Sequence, residues 1–222
     1  MPDSQTLSSL RLSLQVASLA TLFIVLIGTG AAYFLAMKNF RGREVLDMFL
    51  TLPLVLPPTV TGYYLIILFG RNGLVGRPFF EATGWSIMFT WQAAVLASFV
   101  VALPLMVKTA RAAIESVDVD LINASYTLGH SSLKTALKVI FPLAKKGLIA
   151  GAVLSFARAM GEFGATIMLA GNIPGKTDTM PIAIYSLAGS GEWSKAHAMV
   201  AVFTVISGGF LYIANRFGRR II

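Results

Sequence analysis

The chain has 222 residues, 56% of them hydrophobic and only 13% charged, with a formal net charge of +8 and mean hydropathy +0.75. A water-soluble domain of this length cannot hide so much apolar surface, so lipid must form part of its solvent. Cysteine is absent, which excludes disulfides and thiolate metal sites.

In chain order, residues 12–37 form an uncharged run that exceeds the roughly 20 residues needed to cross a hydrocarbon core. It is also longer than the apolar centre of a cleavable signal. Runs at 48–70, 82–107, 147–170 and 196–215 follow, the fourth interrupted by Arg158 and Glu162. Segment 179–190 is too short to span and has Pro181 near its start, so it reads as a piece lying at the membrane interface. The expectation is an all-α integral membrane protein with about five transmembrane helices. It reads as one domain over 1–222, with its core at 10–217 and no internal repeat.

Short cytosolic loops collect Lys and Arg. With loop 108–142 inside, twelve basic residues face the cytosol, against Arg11, Arg71, Arg77, Lys176 and Lys195 outside. That puts the N-terminus outside and the C-terminus in the cytosol. The same bias explains the positive charge better than a nucleic-acid partner does.

The second run holds Pro53, Pro57 and Pro58, followed by Thr59, Thr61 and Gly62. Each proline removes a backbone donor and bends a helix, and such breaks survive in lipid only where protein or water satisfies the freed carbonyls. A packing kink and a pore-lining role are both open. Tyr63, Tyr64, Trp85, Trp91 and Trp193 are candidate interface anchors. Gly147 and Gly151 have the small-xxx-small spacing of close helix packing, and Gly208–Gly209 interrupt the last run.

Between the third and fourth runs lies a patterned polar stretch. The third span is expected to continue through Lys108 and Arg111 to Ser116, after which Asp118 or Asp120 caps a short helix. On that helix Leu121, Ala124, Ser125 and Leu128 share one side, following Asn123. Gly129 can take the left-handed conformation that ends a helix. Ser131 can cap the next helix, on which Leu133, Leu137 and Ile140 face one way and Lys134 and Lys138 the other, before Pro142. Pattern alone favours an amphipathic helix lying on the membrane surface.

Arg158 and Glu162 stand one helical turn apart within the fourth run, and each is costly in lipid unless paired. They form either a structural ion pair or part of a gate; for an anion, the first attracts and the second repels. Past them, Asn172, Pro174, Gly175 and Thr177 combine tight-turn residues with polar groups that can meet a partner. The two histidines, His130 and His197, lie apart, and no nucleotide loop, metal cluster or catalytic triad is present, so neither a metal site nor an enzyme is expected.

The order Asn123-Ala124-Ser125, Gly129, Val139, Phe141, Pro142 resembles the coupling loop of ABC importer permeases, E-A-A-x3-G-x9-I-x-L-P, with Asn123 for Glu, Val139 for Ile and Phe141 for Leu. Residues 52–66 and 158–185 most resemble the molybdate/tungstate branch, with sulfate permeases as the next choice; the likeness covers nearly all of 12–217. It implies the type I ABC importer permease fold in a prokaryotic inner membrane, as a homodimer with two cytosolic ATPase subunits and a periplasmic or surface oxyanion-binding protein. No cofactor is expected in this chain, since ATP-Mg would be used by the partner. The resemblance turns the short helix into a docking knob, with Asp120, Leu121, Asn123, Ala124, Ser125, Leu128, Gly129 and Pro142 as ATPase-coupling residues. It implies a path past Pro57, Pro58, Thr59, Thr61, Ser155, Arg158, Glu162 and Thr166, and a binding-protein contact at Asn172, Pro174, Gly175 and Thr177. A channel or ion-coupled transporter is the rival class and would need no such loop.

Overall fold

A computed structural model describes residues 4–220, and those residues form helices joined by loops. In chain order they are α1 (Ser4–Met37), α2 (Arg43–Val55), α3 (Pro58–Phe69), α4 (Gly76–Thr83), α5 (Trp91–Glu115) and α6 (Val119–Thr127). Then come α7 (Ser132–Thr135), a π-helical turn (Ala136–Ile140), α8 (Phe141–Met160), α9 (Gly164–Ala170), α10 (Met180–Gly189) and α11 (Trp193–Arg220). Four stretches among the described residues are long and apolar enough to cross a membrane: Ser4–Met37, Trp91–Glu115, Ser132–Met160 and Trp193–Ala214.

The predicted runs and the observed helices differ where proline and glycine intervene. The second run is split, because Leu56 and Pro57 are extended (ψ 141° and 137°) between α2 and α3. Pro57 and Pro58 both lack an N–H, and each drives its predecessor out of the helical region. The third span begins at Trp91 instead of residue 82. Gly84 ends α4 at φ +69°, and the Thr90 hydroxyl accepts from Ala93 N at 3.3 Å to open α5. The fourth run starts earlier, at Ser132, and stops at Met160, leaving α9 as a separate piece. Gly208 and Gly209 do not interrupt α11, which passes straight through them. Segment 179–190 is too short to span, as expected, and forms α10, with Met180, Ala183 and Leu187 buried against Ala196 and Met199 of α11.

The core is α5, packed between α1 and α8. Small residues let the axes approach, as expected where lipid gives no hydrophobic drive and van der Waals contact must hold helices together. A Cβ on Gly28 of α1 would lie 2.9 Å from Met106 Cγ. One on Gly147 would collide with Ala113, and one on Gly151 would lie 2.9 Å from Met106 Sδ. The Gly147–Gly151 pair is therefore spent on packing within the chain. At the same end of α5, Asp47 of α2 pairs with Lys108 (2.9 Å) and Arg111 (3.1 Å), while Glu115 pairs with Arg111 (2.7 Å) and Arg43 (3.2 Å). These half-exposed pairs tie α2 to α5; none was legible in the sequence.

Candidate functional site

The loop between α5 and α8 is built largely as its residues suggest. Ser116 closes α5, and the Asp118 carboxylate accepts from Asp120 N at 2.8 Å to open α6. Gly129 sits at φ +79°. Its N–H donates to Tyr126 O (2.9 Å) and that of His130 to Ser125 O (3.2 Å), which satisfies carbonyls left over at the helix end. Ser131 then caps α7, accepting from Lys134 N.

The faces divide differently from the expectation. Ser125 is 4% exposed and turns inward, where its hydroxyl is hydrogen-bonded to Thr135 Oγ1 (2.9 Å) and His130 Nδ1 (3.1 Å). Ile122 is buried beside it. The outward face is Leu121, Ala124 and Leu128, the last 78% exposed, with Asn123 and Asp120 on the same surface. On the next helix Ile140 is fully buried, so it does not share a face with the exposed Leu133 and Leu137. Partial burial, then the charges of Lys134 and Lys138, push His130 below its ordinary value, so its ring is neutral at physiological pH. An apolar knob thus stands on a polar clasp. Sequence reasoning placed Ser125 on the knob; it belongs to the clasp.

The second region joins the two broken helices. A Cβ on Gly164, at the start of α9, would lie 2.8 Å from Pro58 Cβ, and one on Gly62 would lie 2.9 Å from Ala165 Cα. α3 and α9 therefore pack backbone to backbone, which brings the 57–61 and 155–166 segments side by side. Thr61, Ser155, Glu162 and Thr166 are buried, Pro58 and Arg158 partly so, and Pro57 and Thr59 exposed. Ser155 is turned into the bundle, its hydroxyl donating to Ala102 O at 3.4 Å.

Arg158 and Glu162 do not share a continuous helix, because α8 ends at Met160 and Gly161 starts the break. They still pair, Arg158 Nη1 to Glu162 Oε2 at 2.7 Å, an ionic contact without hydrogen-bond alignment. The other oxygen of Glu162 accepts from Ala165 N at 2.8 Å and so opens α9. Its carboxylate is thus committed at both oxygens, and its negative charge is countered by Arg158, whose side chain is 30% exposed.

At the opposite end of the bundle, Asn172, Pro174 and Gly175 are exposed, but Thr177 is fully buried. The Thr177 hydroxyl accepts from Ile173 N (2.9 Å) and donates to Gly171 O (3.3 Å), so it shapes the turn and presents nothing outward. Next to it, Asp178 accepts from Gly175 N (2.8 Å) and from Ser9 Oγ (3.2 Å), and Ser13 Oγ accepts from Met180 N (2.7 Å). Burial raises the Asp178 carboxyl above its ordinary value, against the lowering effect of those two donors. The loop is therefore knotted to α1. A signal was present in the buried polar stripe Thr6, Ser9, Ser13 at helical spacing, but no partner could be assigned to it from sequence.

Long apolar helices, two interrupted ones packed side by side and a clasped exposed knob make up a helical membrane transport component. The family model for the binding-protein-dependent transport system inner membrane component matches residues 18–222, and the chain belongs to that family. It is 43% identical over 194 residues to the molybdenum transport system permease protein ModB of Escherichia coli K12, covering 87% of this chain and 85% of that one. ModB of Haemophilus influenzae is 41% identical over 200 residues, covering 90% and 87%. ModB of Azotobacter vinelandii is 35% identical over 222 residues, covering 98% of each. Among solved structures, a bacterial alginate ABC transporter matches with TM-score 0.81 at 16% identity, over 99% of this chain and 80% of that one. The inward-facing MetNI methionine ABC transporter matches with TM-score 0.74 at 17% identity, over 96% and 94%. At such identities the two structures show the fold, which is that of the type I ABC importer permeases.

Proposed function

We propose that the chain is the membrane-spanning subunit of an ATP-driven ABC importer that carries molybdate or tungstate into the cytoplasm. The exposed knob of α6 carries the mechanistic reading: an apolar face clasped to its own chain from behind is shaped to be pushed. The relatives named as molybdenum permeases, at 41–43% identity, support the cargo. The working unit is a homodimer with two cytosolic ATPase subunits, which supply the ATP-Mg chemistry, and a binding protein that delivers the anion. The α6 end is cytosolic, in keeping with the excess of Lys and Arg there; the N-terminus is outside and the C-terminus inside.

Leu121, Ala124 and Leu128 seat in a groove of the ATPase, beside Asp120 and Asn123. When nucleotide binding brings the ATPases together, the knob moves. The Ser125–Thr135 bond passes that motion into the 29-residue helix Ser132–Met160, with Pro142 in the first turn of its α8 part. That helix is about 43 Å long at 1.5 Å per residue. It ends at the Gly161 break, where α9 leans on Pro58 at the start of α3. Two interrupted helices in contact can swing together, and their motion opens or closes a path lined by Pro57, Thr59 and the exposed side of Arg158. Hydroxyls and backbone dipoles let a divalent anion pass without holding it. Asn172, Pro174 and Gly175 lie at the other mouth, where the binding protein docks.

The test is reconstitution of the full complex in vesicles with its own ATPase and binding protein. Molybdate should accumulate only with ATP, and a tenfold excess of sulfate should leave the rate unchanged. Accumulation without ATPase subunits would overturn the importer reading; equal competition by sulfate would move the cargo to sulfate.

A further inference from the structure

Two hollows lie end to end along the seam between α1 and α5, in the half of the bundle away from α6. The larger, about 740 Å3, is lined by Arg11, Gln15, Trp85, Gln92 and Lys176 among others. The smaller, about 430 Å3, is lined by Leu19, Phe23, Ile27, Val95, Leu96 and Phe99. Trp91 and Gln92 line both, so the hollows adjoin. We propose that this seam is a binding site for one anionic phospholipid, its phosphate at Arg11 and Lys176 and an acyl chain along α1 and α5.

The charge comes first. No acidic residue lines the larger hollow, and among the described residues neither Arg11 nor Lys176 makes an ion pair. The nearby carboxylate of Asp178 is already engaged by Ser9 and Gly175 N. Two unpaired cations with two amide side chains suit a phosphodiester. The order along the seam is the order of a phosphoglyceride: cations, then amides and indoles at the level of the ester groups, then hydrocarbon. Tryptophan favours that boundary because its ring is apolar and its N–H polar.

The length agrees. Gln15, Leu19, Phe23 and Ile27 are four residues apart and form one ridge of α1, about 18 Å long at 1.5 Å per residue. One leaflet contributes about 15 Å of hydrocarbon. Phe23 and Ile27 remain 47% and 52% exposed, leaving the groove open on its lipid side. A free inorganic anion would explain the charged hollow but not the apolar one attached to it. The site does not depend on which anion the transporter carries.

The experiment uses the purified full chain in its complex, placed in nanodiscs of phosphatidylglycerol and phosphatidylcholine with identical acyl chains, and reads retained lipid by native mass spectrometry. The wild type should enrich phosphatidylglycerol. Arg11→Gln and Lys176→Gln should each cut that enrichment about fivefold, since a basic residue near an anionic headgroup is worth roughly that factor. Leu96→Trp should fill the groove and reduce retention of both lipids. Both cationic side chains are exposed and make no described hydrogen bond, so these variants should keep the elution profile of the wild type. Equal retention of the two lipids by wild type, or enrichment unmoved by the charge variants, would overturn the proposal. Displacement by millimolar inorganic phosphate would replace it with a free-anion site. Crosslinking of position 23 to a second copy would replace it with a protein contact.

Discussion

The loops at the two ends of the bundle are made alike and anchored differently. Each turns on a left-handed glycine (Gly129 at one end, Gly171 and Gly175 at the other) and each buries a hydroxyl that holds the turn together, Ser125 in one and Thr177 in the other. The α6 loop is pinned to the helix that follows it, through Thr135, and exposes an apolar knob. The 171–179 loop is pinned to α1, a helix far away in sequence, through Ser9 and Ser13, and exposes small polar and turn residues. On the proposed function, the loop that transmits force is braced to the element it moves, and the loop that receives a partner is braced to the frame.

The sharpest way to break that contrast is at Gly129. A Cβ there meets nothing within 4 Å, so only the backbone at φ +79° resists substitution. Gly129→Val should lower ATP-driven uptake more than tenfold in vesicles while ATP hydrolysis persists and the protein still inserts, because the left-handed region costs a β-branched residue at least about 1–2 kcal/mol. Normal uptake by this variant would remove the lever. Next come paired changes at the same loop. Thr135→Val leaves the buried Ser125 hydroxyl short of a partner and should cost about 1–3 kcal/mol in detergent unfolding. Leu128→Asp should leave the unfolding temperature alone and instead weaken co-purification with the ATPase. If the two variants behave alike, clasp and knob are not separate.

The far loop offers a second pair. Asp178→Ala removes the acceptor used by both Ser9 and Gly175 N and should cost about 2 kcal/mol. Asp178→Asn keeps an acceptor and sheds the buried charge, so its stability at neutral pH should equal or exceed that of the wild type. The smallest effect expected is in pH dependence, and its sign differs between the loops. His130 titrates below its ordinary value of about 6.5 when folded, so the α6 loop keeps full stability above that pH and loses it as pH falls toward the lowered value. Asp178 titrates above its ordinary value, so its contribution falls as pH rises through that raised value and is flat beyond it. Hydrogen exchange of the two loops between pH 5 and 7 should show faster opening of the α6 loop on acidification, abolished in His130→Asn. Parallel behaviour of both loops would argue against the assignments.

Local chemistry was readable in advance. The Asp118 and Ser131 caps, the left-handed Gly129, the continuation of α5 to Ser116 and the break around Pro57 all follow from properties of one residue and its immediate neighbours. The misplacements have two causes. Ser125 and Ile140 were assigned to faces by periodicity, which gives the direction of a side chain relative to its helix but not which neighbour covers that direction. Thr177 was assigned from its place among turn residues, which does not say whether its hydroxyl faces outward or closes the turn. The late start of α5 was hidden because residues 82–90 carry no charged side chain and lead straight into the span, although Gly84 and Thr90 hold them out of it.

From sequence alone, then, came the solvent, the helical class, the family and the existence of a patterned loop, because each depends on composition or on contacts within a few positions. Only the folded chain decided that α8 packs on α5 and ends between Arg158 and Glu162, that α3 leans on α9 through Gly62 and Gly164, and that Asp178 reaches back to Ser9. Those contacts join residues up to 169 positions apart, and long-range pairing is set by how helices pack, which no local pattern encodes.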